Sequence, residues 1–226
     1  VNQSLRIFFM NTKRNSSRIE CKTSSGLMDY EETLLAMEAR VAEINAGSKE
    51  ELLWFVEHPP LYTAGTNSNS NDLLNQTRFP VHQVGRGGQY TYHGPGQRIV
   101  YTMLDLKSRG ADIRKFVRDL ESVIIQSLAE FDVIGARRKG RVGIWVKCEE
   151  TEKKIAAIGI RIRHWVTFHG IAINVNPNLE HFSGIVPCGI SQYGITSLEE
   201  LNIKCTMLEL DRVLRKYLLR TFSVTT

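Results

Sequence analysis

The chain has 226 residues, of which 42% are hydrophobic and 23% are charged. These values are typical of a globular protein that folds as one large domain, with two small domains as the alternative, and that needs no disulfide bonds for stability. No apolar run reaches the roughly 18 residues that a transmembrane helix requires, so we expect no membrane span. The formal net charge of +5 indicates either a solvated basic face or an acidic partner. Because no nucleic-acid-binding module is recognisable, an acidic protein is favoured over a nucleic acid.

The four cysteines, Cys21, Cys148, Cys188 and Cys205, lie far apart and form no Cys-x-x-Cys pair. This spacing favours neither a zinc site nor a disulfide framework, so we expect no metal and a reducing, cytoplasmic compartment. Most free cysteines are small buried hydrophobic residues. A cysteine with a reactive role therefore has to be identified by its surroundings.

The predicted elements begin after residues 1–17, which we interpret as a mobile N-terminal arm, and residues 18–226 are predicted to form one domain. Periodicity predicts helices at residues 30–45, 112–131, 197–201 and 207–222, the first behind the potential N-cap Asp29. Strands are predicted at residues 51–57, 80–85, 99–106, 142–146, 154–163 and 170–175. Residues 61–74 are predicted to form a loop. Strands clustered between helices indicate an α/β (α+β) fold with a mixed sheet flanked by helices.

Lys154 stands at the start of an otherwise apolar strand. If this strand has no bulge, alternation places Lys154 on the face of Ile158 and Ile160, and Lys153 on the opposite face. A lysine on an apolar face is costly to bury unless it has a partner or a chemical role. The alternative is a strand-end lysine whose ammonium reaches water.

Cys188 lies between Pro187 and Gly189, in a sequence that favours a loop and can present a thiol to a ligand. An ordinary thiol is mostly protonated at neutral pH, and a nearby ammonium favours the reactive thiolate. The spacing between Lys154 and Cys188 allows the two to meet on adjacent elements but does not require it. A structural loop cysteine is the alternative.

A glycine-rich segment at residues 85–97 carries Arg86, Gln89 and His93. Glycine lets the backbone approach a ligand closely, and these three side chains supply polar groups around it. The segment has neither the Gly-Lys-Ser/Thr of a P-loop nor a dinucleotide fingerprint. A plain hairpin loop is the alternative. His169 opens the strand at 170–175, where a lone histidine more often has a structural role.

Five blocks of the chain, in order, resemble the octanoyl-carrier-protein:protein N-octanoyltransferases of the lipoate pathway. They are residues 58–65, 85–97, 154–159, 169–174 and 187–189. The Arg-Gly-Gly-Gln-x-Thr-Tyr-His block and the pair of Lys154 with Cys188 are specific to this family. The similarity spans roughly residues 26–219 and leaves the N-terminal arm outside.

This resemblance implies the fold of lipoate and biotin ligases, with a small C-terminal lobe. It implies Cys188 as the nucleophile and Lys154 as its partner. It also implies substrate contacts from three groups of residues: Arg86, Gly87, Gly88, Gln89, Tyr90, Thr91, Tyr92 and His93; Ala157, Ile158 and Gly159; and Gly170, Ile171 and Ala172.

The implied reaction transfers an octanoyl group from acyl carrier protein to a lysine of a lipoyl domain. The acceptors would be the lipoyl domains of 2-oxoacid dehydrogenase complexes and the H protein of glycine cleavage. Cys188 would carry the octanoyl group as a thioester, and Lys154 would stabilise the thiolate and protonate the departing sulfur. Backbone N–H groups near 157–159 and 170–172 would stabilise the oxyanion. No ATP, cofactor or metal is expected, because converting a thioester to an amide is downhill, and a monomer is expected.

Two other readings stay open on the sequence. An ATP-dependent lipoate or biotin ligase of the same fold would need an ATP site and would have no need for Cys188. A non-catalytic acyl-binding module would keep the pocket without the chemistry. A cysteine hydrolase is weaker, because no Cys, His and Asn order stands out.

Overall fold

The computed structural model describes residues 18–186 and 193–224. The predicted arm at residues 1–17 and the segment that contains Cys188 lie outside the described residues. The strands are β1 (Ile19–Leu27), β2 (Glu51–Glu57), β3 (Leu61–Ala64), β4 (Val81–Gln83), β5 (Tyr90–His93), β6 (Gln97–Met103), β7 (Ala136–Arg138), β8 (Arg141–Cys148), β9 (Thr151–Arg163), β10 (Val166–Asn174) and β11 (Gly194–Ile195). The helices are α1 (Tyr30–Ala46), α2 (Ile113–Ala129) and α3 (Met207–Phe222).

The main sheet has eight strands, in the order β1-β2-β6-β10-β9-β8-β7, with β11 pairing to β9 off this path. The β1–β2 and β11–β9 pairs are parallel, and the other pairs of this sheet are antiparallel. A smaller sheet has the order β4-β3-β5. The expected mixed sheet is therefore confirmed, and β9 and β10 lie near its centre.

The helices cover opposite faces of the main sheet. Along β2, Leu53 and Phe55 pack in a core with residues of α2 and α3, whereas Trp54 packs in a second core with Met37 and Val41 of α1. Successive strand residues point to opposite faces, so α1 lies on one face and α2 with α3 on the other. Leu210, Leu214 and Leu218 of α3 belong to the main core. The small C-terminal lobe that the resemblance implied stays a prediction.

Several element predictions agree with the structure. The strand Glu51–Glu57 and the helix Met207–Phe222 have the predicted bounds, and Asp29 caps α1 by accepting a hydrogen bond from the Glu32 N–H.

Two predictions were wrong. Residues 61–64 of the predicted loop form the buried strand β3, which pairs with β5. The helix predicted at residues 197–201 is instead a turn at residues 198–202, because the N–H groups of Leu198 and Glu199 donate to the carbonyls of Asn174 and Val175 at the end of β10.

A buried ion pair ties the main sheet to the end of α3. Both carboxylate oxygens of Glu51, which is 3% exposed, accept hydrogen bonds from Arg109 at 2.5 and 2.6 Å. The Arg109 guanidinium also donates to the carbonyl of Phe222, the last residue of α3, at 2.6 and 3.0 Å. One side chain thus neutralises a buried charge and satisfies a helix-terminal carbonyl.

We expect Arg109→Met to lower the free energy of unfolding by about 3 kcal/mol or more, because it leaves the Glu51 carboxylate buried without a counter-charge. Chemical denaturation at neutral pH measures this. The matched control is Lys115→Met, which removes the exposed Lys115–Asp119 pair and is expected to cost less than about 0.5 kcal/mol. Equal losses in the two variants would contradict the prediction.

Candidate active site

A cavity of about 210 Å³ lies where the glycine-rich segment meets the main sheet. Exposed residues at its mouth include Gly88, Gly140 and Val142, and its buried side includes Tyr101 and His169. A cavity with one open side and a largely buried interior suits a ligand that enters by one end.

The structure places the predicted substrate-binding residues around this cavity, with one exception. Those that line it are Arg86, Gly87, Gly88, Gln89, Tyr90, Thr91, His93, Ala157, Ile158, Gly159, Gly170, Ile171 and Ala172. The exception is Tyr92, which is fully buried in an aromatic cluster with Tyr62 and Phe182. Its hydroxyl is hydrogen-bonded to His181 at 2.8 Å, so the structure does not bring Tyr92 to the cavity.

Lys154 also lines the cavity and is only 4% exposed. The predicted orientation of its side chain was wrong, because β9 contains a bulge. Trp145 of β8 pairs with Lys154 and Ile144 pairs with Ala156, so Ile155 is an extra residue in β9. Both Ile155 and Ala156 pack in the main core.

The bulge shifts the alternation by one residue. Lys154 therefore shares the cavity side of β9 with Ala157 and Gly159, whereas Ile160 and Ile162 pack against the main core. The lysine is thus turned towards the cavity instead of the core. Its low exposure also excludes the alternative of a strand-end lysine that reaches bulk water.

Neighbouring strands hold Lys154 in place on both sides. Its ammonium lies 4.9 Å from the centre of the Trp145 ring, an attractive cation–π geometry. Its carbonyl accepts a hydrogen bond from the Thr196 N–H at 2.9 Å, just after β11. Gly143 has a φ of +112°, and a Cβ there would lie 2.6 Å from the Ala156 carbonyl oxygen and 3.4 Å from the Lys154 Cε. Glycine is therefore required beneath the lysine.

Arg86 fixes the glycine-rich segment against the small sheet. Its guanidinium donates to the Thr63 carbonyl at 2.9 Å and to the Thr63 hydroxyl at 2.6 Å. Cβ atoms at Gly65 and Gly159 would lie 2.7 and 2.9 Å from the Arg86 side chain, so both glycines leave space for it. Part of the role of Arg86 is therefore to shape the cavity wall.

His93 is held as a neutral imidazole at the end of a buried hydrogen-bond chain. Gln97 donates its amide N–H groups to Asn174 at 2.9 Å and to the Tyr92 carbonyl at 3.3 Å, so its Oε1 must accept from the His93 Nδ1 at 2.7 Å. Burial lowers the pKa of His93 to about 3. Asn174 continues the chain to the Thr196 carbonyl at 2.9 Å, next to the backbone of Lys154.

His169 lies in the same cavity wall and was not among the predicted site residues, because a lone histidine gives no sequence pattern. It is 3% exposed, and burial lowers its pKa to about 3. Its φ of +60° is rare for a residue with a side chain. Its buried Nε2 has no hydrogen-bond partner within residues 18–186 and 193–224. Only the folded chain brings it beside His93 and Tyr101.

The implied oxyanion donors differ in their availability. β10 lies between β6 and β9, and Gly170, Ile171 and Ala172 are paired with both neighbours, so their backbone groups belong to the sheet ladders. These N–H groups are therefore not available to an oxyanion. The pairing of β9 with β8 ends at Ala156, which leaves the cavity-lining backbone of Ala157–Gly159 beyond it as the better candidate.

The predicted nucleophile Cys188 lies outside the described residues. Tyr193, five residues later in the sequence, packs its ring 5.4 Å from Trp145, the residue beside Lys154. In the described part of the chain, no cluster of His, Cys, Asp or Glu has the arrangement of a metal site. No helix there is long and apolar enough to cross a membrane.

Comparison with known proteins identifies the family. The family model of the lipoyl protein ligase A/B catalytic domain matches residues 29–219. The octanoyltransferase of Dinoroseobacter shibae is 56% identical over 208 residues, which cover 88% of this chain and 94% of that protein. The octanoyltransferase of Cereibacter sphaeroides ATCC 17025 is also 56% identical, covering 92% and 97%. The chain belongs to the octanoyltransferase family.

Solved structures show that this octanoyltransferase-family chain has the fold of lipoate-protein ligases. A lipoate-protein ligase A solved with ATP superposes with a TM-score of 0.70 at 15% identity, covering 92% of this chain and 85% of that chain. The bipartite lipoate protein ligase of Thermoplasma acidophilum gives 0.65 at 14% identity, covering 91% and 83%. At such low identity these likenesses support the predicted fold and nothing finer.

The neutral histidines of the cavity predict a specific loss of stability in acid. The pKa of His93 in the folded state, about 3, lies below its ordinary value of 6.5, so the unfolded chain takes up the proton first. The contribution of the neutral His93 to the free energy of unfolding is complete above pH 6.5 and is lost as the pH falls towards 3. Between pH 7 and 5 one such imidazole accounts for about 2 kcal/mol of the free energy of unfolding.

We expect His93→Asn, which keeps a donor near the Nδ1 position, to reduce that pH-dependent loss by about 2 kcal/mol. Chemical denaturation at pH 7 and pH 5 measures it. The control His164→Asn, at an exposed position, should leave the pH dependence unchanged. A His93→Asn variant with the wild-type pH dependence would contradict the neutral, buried state of His93.

Proposed function

We propose that this chain transfers an octanoyl group from octanoyl-acyl carrier protein to a lysine of a lipoyl domain through an S-octanoyl-Cys188 intermediate. The observation that carries the proposal is the buried Lys154 side chain, which a β-bulge turns into the cavity. A buried ammonium is retained where its charge has a task, and a thiolate is the partner that the family motif supplies.

In the first step, the Cys188 thiolate attacks the thioester carbonyl and forms a new C–S bond. The old C–S bond breaks, and the departing pantetheine sulfur takes the proton of the Lys154 ammonium. In the second step, the amine of the lipoyl-domain lysine attacks the new thioester. An amide forms, the Cys188 sulfur leaves, and the amine proton passes to the neutral Lys154. Both steps balance without ATP, a metal or another cofactor.

The polar residues of the cavity are compatible with the charges that form during these two steps. The imidazoles of His93 and His169 have pKa values of about 3, so they stay neutral and add no positive charge that competes with Lys154. The Ala157–Gly159 backbone on the unpaired side of β9 is the proposed oxyanion site. An N–H donor of this kind contributes about 3 kcal/mol to the transition state.

The partners follow from the same chemistry. We propose octanoyl-acyl carrier protein as donor, and as acceptors the lipoyl domains of 2-oxoacid dehydrogenase complexes and the H protein of glycine cleavage. Basic residues Arg137 and Lys139, exposed next to the cavity mouth, suit an acidic donor. The free thiols Cys21, Cys148 and Cys205 suit a reducing, cytoplasmic compartment. We propose that the chain acts as a monomer.

Intact-mass analysis after mixing with octanoyl-acyl carrier protein tests the proposal. We expect a mass increase of one octanoyl group, mapped to Cys188 and absent from Cys188→Ala. Octanoyl transfer to a lipoyl domain should fall about 100-fold or more in Lys154→Ala, because both the thiolate and the proton transfer lose their partner.

The matched control is Lys153→Ala, which removes the neighbouring ammonium that binds Glu200 at 3.0 Å on the surface, and which should retain activity. An adduct on another residue would overturn the proposed intermediate. Lipoylation with lipoate and ATP in the absence of a carrier would overturn the transferase in favour of a ligase. Stronger damage from Lys153→Ala than from Lys154→Ala would overturn the role of Lys154.

A further inference from the structure

A second cation lies beside Lys154, at the mouth of the cavity. The guanidinium carbon of Arg141 is 4.5 Å from the centre of the Trp145 ring, the same ring that Lys154 approaches at 4.9 Å. The same guanidinium carbon lies 4.0 Å from the centre of the Tyr193 ring. Arg141 and Lys154 both line the cavity, so two positive groups meet at one aromatic ring.

Arg141 is held in one orientation. Its Nη2 donates to Glu152 at 2.7 Å, and Glu152 also pairs with Arg138. These two arginines lower the pKa of Glu152 to about 2, so the carboxylate stays charged. The Arg141 carbonyl accepts a hydrogen bond from the Trp145 Nε1 at 3.0 Å. A planar guanidinium fixed by stacking and by a carboxylate is pre-organised to bind a further oxygen.

One donor of this guanidinium remains unsatisfied. The Arg141 Nη1 is buried and has no hydrogen-bond partner within the described ranges, residues 18–186 and 193–224. Leaving a buried donor unpaired is unfavourable, and an acceptor that arrives with a ligand removes the penalty. Arg138 shares the same Glu152 but does not line the cavity.

We propose that the Arg141 Nη1 donates a hydrogen bond to the pantetheine amide carbonyl nearest the thioester sulfur. This inference rests on the proposed function, because that function places the sulfur beside Lys154. The carbonyl carbon is four bonds from the sulfur, or about 5 Å along an extended arm. Arg141 and Lys154 both lie within 5 Å of the centre of one ring, which limits their separation to less than 10 Å. An arm of this length, with one hydrogen bond at each end, spans such a distance. Arg141 thereby recognises the carrier arm, while the cavity recognises the acyl chain.

The test compares two donors that differ only in the amide that carries this carbonyl. Octanoyl-N-acetylcysteamine contains it, and an octanoyl S-alkyl thioester of equal length lacks it. For the wild-type protein, kcat/KM for acylation of Cys188, followed by intact mass, should favour the amide donor by roughly tenfold or more. Arg141→Met should remove this preference, mainly by lowering the rate with the amide donor and raising KM for octanoyl-acyl carrier protein.

Two further variants separate recognition from structure. Arg138→Met, the matched control, loosens Glu152 in the same way and should keep the wild-type preference. Arg141→Lys keeps the positive charge but lacks the planar guanidinium, and it should lose most of the preference for the amide donor. Thermal unfolding verifies that each variant is folded.

The outcomes are distinct. The inference would be overturned if Arg141→Met lowered the acylation rate equally with both donors, or if this variant kept the preference for the amide donor. It would also be overturned if the wild-type protein showed no preference for the amide donor. If the small thioesters did not react, unchanged KM for octanoyl-acyl carrier protein in Arg141→Met would overturn it. A wild-type protein that forms no adduct with any donor would instead overturn the proposed function.

Discussion

The site depends on one extra residue in a strand. Ile155 breaks the alternation of β9 and sends Lys154 to the cavity, although the residues that follow it continue as an ordinary core strand. A one-residue change of phase moves every subsequent side chain to the other face. The bulge therefore lets one strand supply both an ammonium for the cavity and isoleucines for the core.

The rest of the site preserves that placement. Gly143 leaves room under the lysine, Trp145 faces its ammonium, and Thr196 fixes its carbonyl. Around it, burial keeps His93 and His169 neutral, so these two imidazoles add no positive charge to the cavity. Arg141 lies at the same end of the cavity as Lys154, where its Nη1 has no hydrogen-bond partner among the residues that the structure describes and its guanidinium contacts the ring that Lys154 also approaches.

The fold supports this arrangement through burial of its central strands. β9 and β10 lie inside the main sheet, with helices on both of its faces, so this wall of the cavity is held by strand pairing and by core packing. The same position has a chemical consequence. The backbone of β10 is engaged with both of its neighbours, whereas the pairing of β9 with β8 ends at Ala156, so β9 presents backbone to the cavity beyond that residue.

The sequence by itself determined the long helices, the strand Glu51–Glu57 and the mixed sheet, because apolar periodicity is a local signal. The blocks that line the cavity were implied by the resemblance of the sequence to a known family. The sequence also singled out Lys154 correctly, as a lysine in an apolar strand, but it predicted the wrong face of that strand for the lysine side chain. Only the tertiary structure decided that face, the absence of Tyr92 from the cavity, and the positions of His169 and Arg141 in its wall. A bulge is defined by its partner strand, and the burial of a single side chain by residues far away in the chain, so neither leaves a pattern in the local sequence.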